Sequence, residues 1–246
     1  MSRALALVAL AFAACSAPEP APRLGAPPTA PAARALDVAF EGPRDGDGPL
    51  LVLLHGYGAP GRDLVPLGRE LRARIPELRV ALPAAPIDMG HGRAWWPISL
   101  AERPSDRSRE RPDGLPAARA DLQAALDELS ITPSRTVVAG FSQGGMLATD
   151  FGLRADPPLA GIASLSGGPV DAETWIARAG SAPPIFLSHG RQDPLLTYAA
   201  ADRLQARLSE GGAQVTWVPF DGGHAIPPEV VDQLTAFLRE TLAGDR

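Results

Sequence analysis

The residue best suited to covalent chemistry is Ser142, at the centre of a Gly-Phe-Ser-Gln-Gly run at 140–144. The run follows a short apolar segment, 136–139, and opens a stretch with helical spacing. Small residues on both sides of a serine permit a strained strand-to-helix turn, and the helix N-terminus favours the negative charge that develops during acyl transfer. The pattern predicts a serine nucleophile, with a simple helix-capping serine as the alternative.

A serine hydroxyl is a weak nucleophile unless a histidine takes its proton and a carboxylate orients that histidine. His224 lies just beyond an apolar segment at 215–219 and before the last helical segment. Asp193 follows another apolar segment, at 185–188. The order serine, acid, histidine is typical of hydrolases with a nucleophile elbow. We therefore predict that Ser142, Asp193 and His224 form a catalytic triad.

Three other residues are candidates for roles in this site. Asp221 is a rival acid, but it shares a loop with His224 and would have to fold back on it. His189 ends a predicted strand before a glycine, which favours a structural role. His91 falls in a long loop, where it either lines the site or faces solvent. The sequence favours Asp193 and His224 over all three.

A second motif, Leu-Leu-His-Gly-Tyr-Gly at 53–58, ends the first predicted central strand. In a hydrolase of this kind, the residue after the His-Gly pair donates one backbone N–H to the developing oxyanion, and the residue after the nucleophile donates the other. Here these donors are the amides of Tyr57 and Gln143. His55 and Gly56 are predicted to shape the turn rather than to act on substrate.

Short apolar runs bounded by glycine, proline or aspartate predict the buried strands that must carry these motifs. They lie at 50–54, 80–82, 136–139, 161–165, 185–188 and 215–219, with an outer antiparallel strand at 36–40. Between them, helical spacing occurs at 63–74, 115–129, 144–155, 197–209 and 228–242. Such alternation predicts a mostly parallel central sheet with helices on both faces, and a ligand site beyond the carboxyl ends of the strands.

At these motifs the chain resembles the phospholipase/carboxylesterase family of α/β-hydrolases, which includes acyl-protein thioesterases and small bacterial carboxylesterases. The resemblance extends from Leu50 to Leu238 and is most specific in the Gly-Phe-Ser-Gln-Gly-Gly run at 140–145. Further matching runs lie at 54–58, 63–67, 82–86, 164–168, 189–194 and 223–224. The resemblance implies an α/β-hydrolase fold and a metal-independent acyl hydrolase without a cofactor, acting through the triad predicted above.

The chain departs most from that family in the Arg-rich stretch 83–112, which carries the pair Trp95 and Trp96. The resemblance implies that this region borders the acyl-binding groove, so it bears on substrate specificity. A loop of this length is often functional. We expect at least one of the two tryptophans to touch substrate, with ordinary core packing as an equal alternative.

Taken together, the motifs predict a serine carboxylesterase that hydrolyses small or medium acyl esters through an acyl-enzyme intermediate. A peptidase or polyester depolymerase on the same fold is the nearest alternative. A catalytically dead, ligand-binding lipoprotein is another, although such proteins usually lack a triad residue. The net charge of −5 includes no basic stripe, which argues against a nucleic-acid partner.

Residues 1–14 have the features of a secretory signal peptide: Arg3, then an apolar run too short to span a bilayer as a permanent helix. The run ends in Phe-Ala-Ala-Cys at 12–15, which resembles the lipobox of bacterial lipoproteins apart from the phenylalanine, where an aliphatic residue is usual. This predicts cleavage before Cys15 and attachment of a diacylglycerol to its thiol. An ordinary signal peptide, cut at that point or near Ala17, is the alternative.

Residues 15–34 are dominated by alanine and proline and are predicted to form an extended tether rather than part of the core. The hydrolase domain is predicted to occupy 35–246. Ser16 is not the aspartate that favours retention in the inner membrane. We therefore expect an exported protein, lipid-anchored in the bacterial cell envelope in the periplasm or at the outer membrane, with the outer membrane favoured in a Gram-negative host.

Overall fold

Residues 33–98 and 111–243 are described by the structure, a computed structural model. Their strands are β1 (Val38–Glu41), β2 (Leu50–Leu54), β3 (Arg79–Pro83), β4 (Ile87–Asp88), β5 (Arg93–Ala94), β6 (Thr136–Phe141), β7 (Gly161–Leu165), β8 (Ile185–Gly190) and β9 (Val215–Phe220). Their α-helices are α1 (Val65–Arg74), α2 (Leu115–Glu128), α3 (Gln143–Gly152), α4 (Tyr198–Glu210) and α5 (Pro228–Leu242).

No helix in the described part of the chain is long and apolar enough to cross a membrane. The predicted signal peptide at 1–14, Cys15, most of the tether and part of the 83–112 loop lie outside the described residues.

Seven of these strands form the central sheet, in the order β1-β3-β2-β6-β7-β8-β9. β1 runs antiparallel to β3, and every other neighbouring pair is parallel. Parallel neighbours need crossover connections, and the helices in those connections cover the faces of the sheet. This confirms the mostly parallel α/β-hydrolase architecture that the sequence predicts. The short pair β4-β5 forms a separate two-stranded sheet within the 83–112 region.

The core forms on both faces of the sheet because the central strands are buried on both sides. In β2, Leu51 and Leu53 pack in a layer with α1 and α5, whereas Leu50, Val52 and Leu54 pack in a layer with α2 and α3. The alternation of side chains along a strand produces this division. A strand that faces two helical layers must be apolar throughout, which explains the continuous apolar runs in the sequence.

The three strands that precede Ser142, Asp193 and His224 extend beyond their predicted ends, at the edge of the sheet where the predicted site lies. β6 continues to Phe141, β8 to Gly190 and β9 to Phe220. Glycine and proline near these ends favour earlier termination, but the backbone stays in the sheet as far as Gly190, which pairs with Phe220. The predicted site residues therefore follow rigid strands almost directly.

A buried ionic network fixes α3, the helix that follows Ser142. The Asp150 carboxylate of α3, which is fully buried, lies 3.1 Å from Arg154 Nε and 3.3 Å from Arg119 Nε of α2. Arg154 also contacts Asp171, in the loop after β7, at 2.9 Å. Burial raises the pKa of Asp150, and the two guanidinium groups oppose that effect. These contacts join α2, α3 and the loop after β7. Removal of one member would leave a buried charge unpaired, which is strongly destabilising.

Candidate active site

Ser142 occupies a strained turn between β6 and α3. Its φ angle is 55° and its ψ angle is −118°, a positive φ that residues other than glycine rarely adopt. The Ser142 backbone N–H donates to Leu165 O of β7 at 2.9 Å. A Cβ at Gly140 would lie 2.2 Å from Gly144 C, and one at Gly144 would lie 2.2 Å from Leu54 O, so the turn requires both glycines. This backbone has the geometry of a nucleophile elbow.

His224 and Asp193 form a direct hydrogen-bonded pair. His224 Nδ1 donates to Asp193 Oδ2 at 2.7 Å, and the Asp193 carboxylate is fully buried. The His224 side chain is 11% exposed and packs on the Phe141 ring, with 4.8 Å between the ring centroids. A carboxylate can only accept, so the proton lies on Nδ1 and Nε2 is left as an acceptor. This is the tautomer that a general base needs.

Four donors surround the Asp193 carboxylate. Oδ1 accepts the backbone N–H groups of Leu195 and Leu196 at 2.8 and 2.9 Å. His189 Nε2 lies 3.2 Å from Oδ2, the oxygen that also accepts from His224. Burial alone would raise the pKa of this carboxyl, but the hydrogen bonds from the two histidines and the two amides outweigh it and hold the pKa well below its usual range. Asp193 is therefore ionised wherever a histidine base can work.

His189 contacts the acid, a role that its place in the sequence did not reveal. Its side chain is 1% exposed, and its Nε2–H lies 2.9 Å from Leu196 O as well as near Asp193. The one sequence signal for this contact is the spacing of the two residues, which are four apart at the end of β8. That spacing does not by itself separate a structural histidine from one that holds the acid.

The ionisation of Asp193 leads to a prediction about pH. We expect log kcat/KM to fall on the acid side with a slope of one down to about pH 4, because Asp193 takes up no proton in that range. A pH–rate profile with a neutral ester at constant ionic strength measures this slope, and a slope of two above about pH 4 would show that the acid titrates as well.

The lowered pKa of Asp193 also stabilises the folded protein. This stabilisation is present above about pH 3.9, the pKa of the carboxyl in the unfolded chain, and is lost as the pH falls through its pKa in the folded protein.

A cavity of about 360 Å³ opens where these segments meet. Ser142 and His224 line it together with Tyr57 and Gln143. The other lining residues, apolar except for one aspartate, are Gly56, Gly58, Ala59, Asp63, Ile98, Phe141, Met146, Leu195 and Leu196. The structure thus places the predicted nucleophile and base beside a mostly apolar surface.

Tyr57 and Gln143 carry the two amides predicted to bind an oxyanion. Gln143 is the first residue of α3, so its N–H has no acceptor within the helix. The turn that carries Tyr57 packs closely against Ser142: a Cβ at Gly56 would lie 3.3 Å from Ser142 Cβ. Both amides therefore belong to backbone segments that border Ser142, as stabilisation of a tetrahedral oxyanion requires.

Several residues lie away from this cavity. Trp95 and Trp96 are buried, at 0% and 1% exposure, in the core layer with α2 and α3, and neither is among the described residues that line the cavity. Both side chains therefore pack in the core, which was the alternative to the expected contact with substrate. The Asp221 side chain is 87% exposed and lies 3.5 Å from Arg191. His91 is exposed and also outside the cavity lining.

Comparison with known proteins gives consistent matches over most of the chain. A sequence model of the phospholipase/carboxylesterase family matches residues 37–242. Acyl-protein thioesterase 1 of Gibberella zeae is 29% identical over 214 residues, covering 78% of this chain and 90% of that protein. The protein of the same name from Mycosarcoma maydis is 30% identical, covering 81% of this chain and 95% of its own length. Among solved structures, esterase PE8 superposes with a TM-score of 0.74 and 32% identity, covering 85% of this chain and 100% of that one.

The chain therefore belongs to the phospholipase/carboxylesterase family of α/β-hydrolases, and its class is that of ester-cleaving serine hydrolases. A carboxylesterase from Bacillus cereus shares the fold, with a TM-score of 0.66 and 20% identity over 84% of this chain and 94% of that one. The family match runs from β1 through α5. The fold and enzyme class predicted from the sequence are thereby confirmed.

Proposed function

We propose that the protein is a serine carboxylesterase that hydrolyses small or medium acyl esters through Ser142, His224 and Asp193. The observation that carries the proposal is the 2.7 Å hydrogen bond from His224 Nδ1 to the buried Asp193 carboxylate. A histidine oriented in this way presents its other nitrogen as a base. The shared lining of one cavity by His224 and Ser142 supports the assignment of the nucleophile.

In the proposed reaction, His224 Nε2 takes the proton of Ser142 Oγ as that oxygen attacks the ester carbonyl carbon. The tetrahedral oxyanion accepts hydrogen bonds from the amides of Tyr57 and Gln143, and Asp193 stabilises the imidazolium of His224. The imidazolium protonates the departing alkoxide, which leaves as an alcohol while the serine remains acylated. Water, deprotonated by His224, then attacks the acyl-enzyme carbonyl carbon. The bond from that carbon to Ser142 Oγ breaks, Oγ takes the proton back from His224, and the carboxylic acid is released.

The size and lining of the cavity support small or medium acyl groups as substrates. Its volume of about 360 Å³ lies near the lower end of small-molecule sites, and its mostly apolar wall matches a hydrocarbon chain better than a peptide or polyester strand. The curated relatives are named acyl-protein thioesterases. Because the same triad can attack a thioester carbonyl, a thioester is the second substrate class to test.

A panel of p-nitrophenyl esters from acetate to palmitate, with an S-acyl analogue alongside, tests this proposal. We expect kcat/KM to be highest for short or medium chains, to fall for palmitate, and to vanish after treatment with a fluorophosphonate. Binding of these esters without hydrolysis would support the ligand-binding alternative and overturn the proposal. Preference for a peptide or a polyester film over every small ester would favour the peptidase or depolymerase alternative.

We also propose that the protein is exported and anchored in the bacterial cell envelope through lipidated Cys15, which the signal-like sequence at 1–14 supports. The tether at 15–34 would then hold the catalytic domain away from the membrane surface. Mass spectrometry of the mature N-terminus, for the wild type and Cys15→Ser, tests this. We expect diacylglycerol on Cys15 of the wild type only, whereas an unlipidated mature chain, beginning at Cys15 or further on, would refute the anchor.

A further inference from the structure

The side chain of Gln143 is hydrogen-bonded to a distant part of the chain. Its Oε1 accepts the backbone N–H of Trp95 at 3.0 Å, and its Nε2 donates to Trp96 O at 2.8 Å. These partners are 48 and 47 residues away in sequence. Gln143 is 1% exposed, so water does not compete for either bond. The two bonds hold the residue whose backbone N–H is one proposed oxyanion donor.

The Trp95 side chain reaches the turn that carries the other donor. Its indole Nε1–H donates to His55 O at 2.9 Å, and the centroids of the Trp95 and His55 rings lie 5.5 Å apart. The buried His55 ring donates from Nδ1 to Gly56 O at 2.8 Å and accepts the backbone N–H of Ala85 at Nε2, at 2.9 Å. Burial lowers the pKa of His55, which favours the neutral ring that these bonds require. The His55 carbonyl that Trp95 holds therefore belongs to a fixed turn, and that turn presents Tyr57.

We propose that Trp95 and the Gln143 side chain are positioning residues that hold the two oxyanion donors, the amides of Tyr57 and Gln143, at a fixed separation. This inference rests on the proposed function, since it assumes that both amides bind the oxyanion. The two donors follow different strands, β2 and β6, and Trp95 is bonded to both segments at once. Donors are effective only within about 2.7–3.1 Å of the oxyanion, so a bridge between them governs catalysis without touching substrate.

The bridge acts on the transition state more than on bound substrate. Loss of one oxyanion donor costs about 100- to 1000-fold in rate, and a displacement of about 1 Å can cost about 100-fold. Loss of one bridging hydrogen bond, with the ring retained, is expected to cost less, about 10-fold in kcat. KM is expected to stay within about 2-fold, because the bridge alters interactions made only in the transition state.

Trp95→Phe removes the indole N–H and keeps an aromatic ring. We expect a kcat about 10-fold lower, an almost unchanged KM, and about 10-fold weaker inhibition by an alkyl boronic acid, whose tetrahedral adduct with Ser142 places an oxygen where the oxyanion forms. Trp175→Phe is the matched control, because Trp175 is also fully buried and its Nε1–H donates to Val170 O at 3.0 Å. Trp175 is not among the described residues that line the cavity, so this variant should lose similar stability in urea and keep the wild-type kcat.

Gln143→Met removes both side-chain hydrogen bonds, keeps the backbone donor, and decides the question if Trp95→Phe does not fold. It should show at least the loss of kcat and the weaker boronate inhibition expected of Trp95→Phe, because it removes two bonds of the bridge instead of one. Equal kcat values for Trp95→Phe and Trp175→Phe, or losses confined to KM, would overturn the positioning role. If the wild type hydrolyses no ester, the proposed function fails; if the wild type is active and Gln143→Met matches it, only the positioning role fails.

Discussion

Replacing Ser142 with alanine is expected to lower kcat for p-nitrophenyl butyrate by about 10⁶-fold. The variant keeps the cavity, the hydrogen bond between His224 and Asp193, and both proposed oxyanion amides. It loses the oxygen that forms the acyl-enzyme, so covalent catalysis ends while substrate binding persists. The remaining rate should come from binding and oxyanion stabilisation alone.

The control for this loss is Ser209→Ala, a removal of the same hydroxyl group from an exposed position on α4. We expect wild-type kcat from the control and the same far-UV circular dichroism from all three proteins. Steady-state assays with enzyme at high concentration measure the residual rate of Ser142→Ala. Retention of more than about 1% of the wild-type kcat would mean that another group attacks the ester.

The second large effect is expected from Asp193→Asn, with kcat about 10⁴-fold lower. Oδ1 of the native carboxylate accepts two backbone N–H groups, from Leu195 and Leu196, so the asparagine oxygen must take that place. The asparagine NH2 group then faces His224, where the native Oδ2 accepts a hydrogen bond. His224 Nδ1 must become the acceptor, its proton moves to Nε2, and the ring can no longer take the proton of Ser142.

Asp221→Asn is the matched control for this substitution, since Asp221 is the rival acid in the same region of the chain. Its side chain is 87% exposed and pairs with Arg191, so the variant should keep wild-type kcat. Measurement of kcat for both variants separates the two assignments. A large loss in Asp221→Asn together with an active Asp193→Asn would identify Asp221 as the orienting acid.

The sheet could be predicted from sequence because strands buried on two faces are apolar without interruption. β2 shows this most clearly, since its predicted bounds and its observed bounds, Leu50–Leu54, are the same. The placement of Ser142, Asp193 and His224 could be predicted for a related reason. In a parallel sheet, residues that follow different strands converge at one edge, so their order along the chain and their strand-end positions were sufficient.

The bridge through Trp95 could not be predicted, because its hydrogen bonds join residues 40 and 48 positions apart and leave no periodic pattern. The expectation that Trp95 or Trp96 touches substrate came from the position of the loop, whereas the orientation of each ring depends on packing against α2 and α3. His189 and Asp193 are only four residues apart, but that spacing does not separate a structural histidine from one that holds the acid. Strand-end patterns therefore located the residues proposed to react, and the residues that hold them were visible only in three dimensions.

The central claim, that Ser142 is the nucleophile, is tested most directly by mass spectrometry of the protein after reaction with a fluorophosphonate. Peptide mapping of the wild-type adduct identifies the modified residue. We predict one adduct per chain, located on Ser142, with ester hydrolysis lost in proportion to labelling. An adduct on a different residue, or full hydrolytic activity in a protein labelled on Ser142, would contradict the claim.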